Sequence, residues 1–72
     1  MKFKIQGNYD SEGETLLYWS NDDGWVDFQS ATTFYENEDI DLPLETSLVA
    51  WLDDDGNIDH LMNPTAFYSL RK

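Results

Sequence analysis

The chain has 72 residues, and its fifteen Asp and Glu residues outnumber four Lys and Arg, which gives a net charge of −11 at pH 7. This length limits the chain to one small domain, residues 1–72, and the absence of cysteine excludes disulfides and thiolate metal sites. The acidity disfavours direct binding to nucleic acids and to anionic membranes. Eleven aromatic residues (3 Trp, 4 Tyr and 4 Phe) can form an apolar core, which excludes a disordered chain.

The first predicted strand covers residues 2–7. Phe3 and Ile5 share one face and three polar side chains share the other, as in a half-buried strand. Residues 8–13 are rich in Asn, Asp, Ser and Gly, which is typical of a turn or loop.

A hairpin follows, with arms at residues 15–20 (TLLYWS) and 25–29 (WVDFQ). Gly24 provides the positive φ that its turn requires. The first arm is apolar on both faces, so we expect Trp19 in the core. Trp25 shares its strand face with polar side chains, so we expect it at an exposed rim.

The next segment, residues 30–40, is harder to assign. Ser30 can cap a helix, and Phe34 lies at roughly helical spacing from other apolar residues, so we predict one or two short helical turns. Residues 46–52 (TSLVAWL) then form the clearest strand, again apolar on both faces.

The remaining residues predict a second hairpin arm and a closing helix. The chain turns near Gly56 and returns as a strand over residues 58–62. Pro at position 64 suits the first turn of a helix, which we predict over residues 64–70. Arg71 and Lys72 would be favourable at its C-terminal dipole.

The predicted fold is mainly β with short helical turns (β-rich α+β), in a small antiparallel sheet or partly open barrel of about five strands. The alternative is a sheet with helical elements on one face. The strands at residues 15–20 and 46–52 are expected to be central and covered on both sides, because both of their faces are apolar.

The acidic run at residues 53–59 (DDDGNID) suggests calcium, but its spacing does not fit an EF-hand. With Gly56 at the sixth loop position, Trp51 and Met62 fall at the first and twelfth, where carboxylates are required. His60 is the only histidine, so the usual transition-metal ligand sets are missing. We predict no metal site or cofactor, with weak divalent-metal binding as an alternative function.

The sequence also contains no recognisable catalytic motif, because GxSxG, Walker and GxGxxG patterns are absent. Asp59 and His60 are neighbours in a predicted strand, so we expect their side chains to point to opposite faces. This arrangement disfavours a catalytic dyad, and we predict that the protein is not an enzyme.

Five short motifs carry a resemblance to a known group of proteins. They occur at residues 18–21 (YWSN), 24–26 (GWV), 31–32 (AT), 34 (F) and 42–43 (LP). This WSN–GWV–AT–F–LP pattern, about a third of the chain, resembles a group of small, uncharacterised single-domain proteins of bacteria and phages. The resemblance implies a bacterial or phage origin and no particular activity.

The distribution of charge is the sequence feature that bears most directly on function. All fifteen acids lie between residues 10 and 59, where there is no Lys or Arg. We therefore predict a protein–protein interaction module with a basic partner, and a homodimer as a further possibility. The alternative is a nucleic-acid mimic that inhibits a DNA- or RNA-binding protein. No signal peptide is visible, so a cytoplasmic location is expected. The candidate partner-binding residues are Trp25, Asp27, Asp22, Asp23 and Trp51.

Overall fold

A computed structural model describes residues 1–70 and shows one open, six-stranded antiparallel sheet with a short helix. The mainly β, antiparallel fold class is therefore confirmed, with one strand more than predicted. The elements are β1 (Lys2–Tyr9), β2 (Leu16–Ser20), β3 (Gly24–Val26), β4 (Phe34–Tyr35), β5 (Leu48–Leu52), β6 (Ile58–Met62) and α1 (Pro64–Leu70).

Strand β1 is the centre of the sheet. The strand order is β3-β2-β1-β5-β6, and the short β4 pairs with β1 beside β2. The register pairs Phe3 with Trp51 of β5 and with Phe34 of β4, while Gln6 pairs with Tyr18 of β2. Because β2 and β5 flank β1, both strands are interior to the sheet, as their two apolar faces predict.

One face of the sheet, which we call the closed face, carries most of the aromatic core. Phe3 lies at its centre, and its ring centroid is 5.5 Å from that of Phe34, 5.0 Å from Trp51 and 5.1 Å from Phe67. Phe67 belongs to α1, so the helix completes this cluster from outside the sheet. Aromatic rings at such distances bury large areas and stabilise the domain.

The opposite face, which we call the open face, carries Lys4, Gln6, Tyr18 and Ala50, all of them buried. It is covered by the segment at residues 27–33, whose Phe28 and Ala31 pack against Tyr18 and Ala50. Lys4 and Gln6 were expected on the solvent side of a half-buried strand, and this covering segment is the reason that they are not.

Both hairpin turns and the elements after residue 56 agree with their predictions. Gly56 has a φ of 84° and Gly24 has a φ of 81°, which is the left-handed conformation that both hairpin turns require. Strand β6 and helix α1 begin and end where the sequence predicts. The predicted contribution of Arg71 and Lys72 to the helix dipole lies outside the described residues.

The predicted helical turns at residues 30–40 are wrong, because the structure has turns and the strand β4 there. Phe34 of β4 pairs with Phe3, and the Thr32 N–H donates a 3.0 Å hydrogen bond to the Trp19 carbonyl. Backbone groups in this segment therefore pair with distant strands. The β-branched Thr32 and Thr33 also favour extended backbone over helix.

The predicted strand at residues 25–29 is shorter than expected and ends at Val26. Asp27 breaks it, because its carboxylate accepts a 2.9 Å hydrogen bond from the Ser30 N–H and closes a turn. This turn directs Phe28 over the open face.

Candidate docking groove

The five sequence-predicted contact residues do not form one surface. Trp51 lies in the closed-face core with only 6% of its surface exposed, where its ring is tilted against Phe3 and stacked on His60. An indole in this position has little surface to offer a partner. The structure thus places Trp51 among the residues that stabilise the fold.

Trp25 is half-buried, and so is Trp19. The two residues pair directly across β2 and β3, with their ring centroids 5.2 Å apart at 71°. Both pack against the closed-face core, so the expected contrast between a core Trp19 and a rim Trp25 is wrong. The Trp25 ring also lies over Gly7, where an added Cβ would be 2.6 Å from its Cζ3 atom.

The three predicted aspartates are exposed. Asp22 and Asp23 occupy the β2–β3 turn, where their backbone N–H groups donate to the Ser20 hydroxyl at 3.2 and 3.1 Å. The pKa of the Asp27 carboxyl is lowered by two hydrogen bonds that it accepts. The bond from the Ser30 hydroxyl has the larger effect and the bond from the Ser30 N–H the smaller one. Asp22 and Asp23 therefore contribute charge, whereas Asp27 also shapes the segment over the open face.

An apolar groove of about 440 Å³ lies on the open face. Leu16 pairs with Tyr9 at one end of β1, while Ile58 pairs with Leu52 at the other end of the sheet. The twist of the sheet brings these diagonal corners to one groove, because twisted strands curl the sheet around one face. We call it the docking groove, and its lining residues are Leu16, Tyr18, Phe28, Asn57 and Ile58.

Apolar surface continues from the groove to the edge of the sheet. Ile58 is 40% exposed and Leu61 is 49% exposed. Leu61 pairs with Ala50, so its side chain lies on the open face. Two large aliphatic side chains on one edge strand thus remain in contact with water, although isolated exposed residues of this kind are ordinary.

The polar groups beside the groove bind one another. The Lys4 ammonium donates to the Phe28 carbonyl and lies 4.2 Å from the centroid of the Phe28 ring. Burial lowers the pKa of Lys4, with the charge of Asp27 acting in the opposite direction. The Tyr18 hydroxyl donates to the Gln6 side-chain oxygen at 3.2 Å, and burial raises the pKa of Tyr18.

These contacts have two consequences for the groove. Lys4 links the Phe28 segment, which lines one side of the groove, to the central strand β1. Its ammonium contacts both the carbonyl and the ring of Phe28. The Lys4 ammonium is also covered by this segment, so a partner cannot contact it directly.

The groove has an acidic end near Ile58. Ser20 pairs with Gly24, and Leu52 pairs with both Lys2 and Ile58, so the β2–β3 and β5–β6 turns lie at one end of the sheet. A hollow of about 520 Å³ at this end is lined by Asp53, Asp54 and Asp59, and also by Met1 and Lys2. At this end of the sheet, which we call the acidic end, the two turns carry five carboxylates: Asp22, Asp23, Asp53, Asp54 and Asp55.

The β5–β6 turn uses a carboxylate to order its backbone. The Asp53 side chain accepts hydrogen bonds from the backbone N–H groups of Asp55 and Asn57, at 2.9 and 3.0 Å. This is hairpin-turn chemistry. Across residues 1–70, no group of three or more acidic or histidine side chains is arranged to hold a metal ion.

His60 and Asp59 contact each other, with 3.0 Å between Nδ1 and the Asp59 carboxylate. The expectation that they point to opposite faces is wrong, and the strand pairing explains why. The register of β5 and β6 shifts beside them, between Trp51 and Leu52, so regular alternation is interrupted. The pair lies on an exposed edge, with His60 stacked on Trp51.

Sequence reasoning missed the docking groove because three separate segments build it. The available signal was the pair of aliphatic residues, Ile58 and Leu61, in the last strand of the chain. Phe28 gave no signal of its own, since its place depends on the turn at Asp27.

No helix within residues 1–70 is long and apolar enough to cross a membrane. No protein-family model, curated protein or solved structure matches the chain. A functional assignment therefore rests on the groove, its edge strand and the surrounding charge.

Proposed function

We propose that the protein is a non-catalytic interaction domain that binds a partner protein with a basic surface through the docking groove. One observation carries this proposal: an apolar groove has an acidic end, while the lysine beside it is buried and engaged. Protein interfaces commonly combine an apolar centre with a polar rim. The fifteen carboxylates select for Lys and Arg on the partner.

The groove and the charge have different roles in this binding. An aliphatic partner side chain that enters the groove gains about 1.5–3 kcal/mol from burial. The ionic contacts mainly accelerate association and select the partner, and salt weakens them. Homodimerisation through this groove is disfavoured, since each copy carries a charge of −11. A bacterial or phage origin and a cytoplasmic setting remain predictions.

The test uses a fluorescent peptide in which lysine alternates with valine around one central leucine. Ile58→Lys changes the net charge within the groove, and Leu44→Lys makes the same change at a fully exposed position outside it. We expect Ile58→Lys to weaken peptide binding by roughly ten-fold or more, because the burial of an aliphatic side chain is lost. Leu44→Lys should have a much smaller effect, and added salt should weaken both complexes.

Equal losses for the two variants would show that charge alone binds the peptide and would contradict a role for the groove. Binding of the corresponding glutamate peptide with the same affinity would contradict the proposed partner chemistry. If the protein blocks a DNA- or RNA-binding protein and Ile58→Lys does so equally well, the nucleic-acid-mimic alternative is favoured instead.

A further inference from the structure

Strand β6 is an accessible edge of the sheet. Within residues 1–70 it pairs only with β5, and four of its five residues are exposed. The strand at the other end, β3, has three residues, all half-buried. One side of the β6 backbone is therefore available for pairing, and β6 is the longer and more exposed of the two end strands.

Strand β6 has limited protection against pairing, which comes from Asp59 and from the irregular pairing with β5 beside it. It contains no proline or lysine, and its polar residues are only Asp59 and His60, which bind each other. Exposed strand edges commonly carry such protective residues, because unpaired N–H and C=O groups recruit other chains. Here Ile58 and Leu61 extend the apolar surface from the docking groove to that edge.

We infer that β6 accepts an extended basic segment of the partner as an additional strand. This inference rests on the proposed function and specifies how the partner binds. Backbone hydrogen bonds to β6 hold the segment, and its alternate apolar side chains lie beside Ile58 and Leu61. Its basic side chains alternate with these and point to the other face, and those nearest the β5–β6 turn lie close to the carboxylates of that turn.

The charge of this edge identifies the occupant as a different, basic chain. Asp59 lies within β6, and three consecutive aspartates, Asp53, Asp54 and Asp55, lie in the turn that precedes it. A second copy would bring the same acidic groups to the edge, and like charges on paired strands are destabilising. Lysine or arginine in the added strand instead meets carboxylates.

The decisive probes are two backbone-methylated forms of the lysine–valine peptide. In a strand, successive N–H groups point to opposite edges, so the valine N–H groups face one side and the lysine N–H groups the other. One peptide is N-methylated at several valines and the other at several lysines, with side chains and charge unchanged. Only the set that faces β6 loses hydrogen bonds.

We expect one methylated peptide to bind roughly ten-fold or more weakly and the other to bind nearly as the parent does. The parent peptide should also slow the hydrogen exchange of β6 amides that are exposed in the free protein. Equal effects of the two methylations, or unchanged exchange in β6, overturn strand addition while the proposed function survives. If the parent peptide itself fails to bind, the proposed function falls as well.

Discussion

The two faces of the sheet are formed by the same strands and differ in how they are covered. On the closed face, α1 places Phe67 against Phe3 and Trp51 in a continuous aromatic cluster. On the open face, the segment carrying Phe28 leaves Ile58 and Leu61 partly exposed. A domain this small needs one well-packed core for stability. The closed face provides this core, so Ile58 and Leu61 on the open face do not have to be covered for the domain to be stable.

The largest expected effect comes from breaking the closed face. Phe67→Ala removes the aromatic ring that α1 contributes to the core, and should destabilise the domain by about 3–5 kcal/mol. Urea denaturation followed by tryptophan fluorescence measures this loss. Leu70→Ala, at an exposed position of the same helix, is the control and should change stability by less than about 0.5 kcal/mol. Equal effects would contradict the central role of the Phe67 contact.

A smaller effect should come from the edge of the closed face, where Trp25 covers Gly7. The Cβ in Gly7→Ala would lie 2.6 Å from the Trp25 ring, so the ring must move, at a cost of about 1–3 kcal/mol. In a Trp25→Leu background the same change should cost clearly less, since the obstructing ring is gone. Additive effects in this double-mutant cycle, measured by urea denaturation, would show that the two residues do not meet.

On the open face, Asp27 should give a smaller, pH-dependent effect. The pKa of its carboxyl is lowered in the folded state by the Ser30 hydrogen bonds. Its contribution to stability is therefore present above the ordinary pKa of 3.8 and is lost as the pH falls through the lowered value. Asp27→Ala should be less stable than the parent at neutral pH and equally stable at a pH well below 3.8.

Urea denaturation at the two pH values measures this difference, and Asp41→Ala is a matched control at another exposed aspartate. The control should show little effect at either pH. If Asp27→Ala retained the same deficit under acidic conditions, the carboxylate would not be the group that stabilises the turn.

The smallest effect on stability is expected at the uncovered edge of the open face. Leu61→Ser removes an aliphatic side chain that is half in water, and should change the free energy of unfolding by only about 0.5 kcal/mol. The same variant should bind the lysine–valine peptide more weakly. A stability loss approaching that of Phe67→Ala would mean that both faces are needed for folding, which would remove the distinction between them.

Elements that depend on neighbouring residues could be predicted from the sequence. Gly24 and Gly56 mark turns that need a positive φ, and Pro64 begins a helix because its missing N–H has no role in the first turn. The alternation within β1 also identified Phe3 and Ile5 as core residues. In each case the decisive interaction lies within a few residues.

The segment between residues 27 and 40 could not be predicted in this way. Its Thr32 and Phe34 pair with Trp19 and Phe3, and those partners are distant in sequence. The helical spacing of its apolar residues was therefore misleading. The docking groove was missed for the same reason, since Leu16 and Ile58 meet only after the sheet has twisted.

The sequence by itself determined the acidity of the surface, the central strands and the closing helix, because charge and local backbone preference need no tertiary partner. Only the tertiary structure decided which aromatic side chains are buried and which apolar ones remain exposed. Trp51 is of a residue type that is common at protein interfaces, but it lies in the core, whereas Ile58 lines the groove. The physical reason is that a strand has two faces, and the residues that cover each face come from elsewhere in the chain.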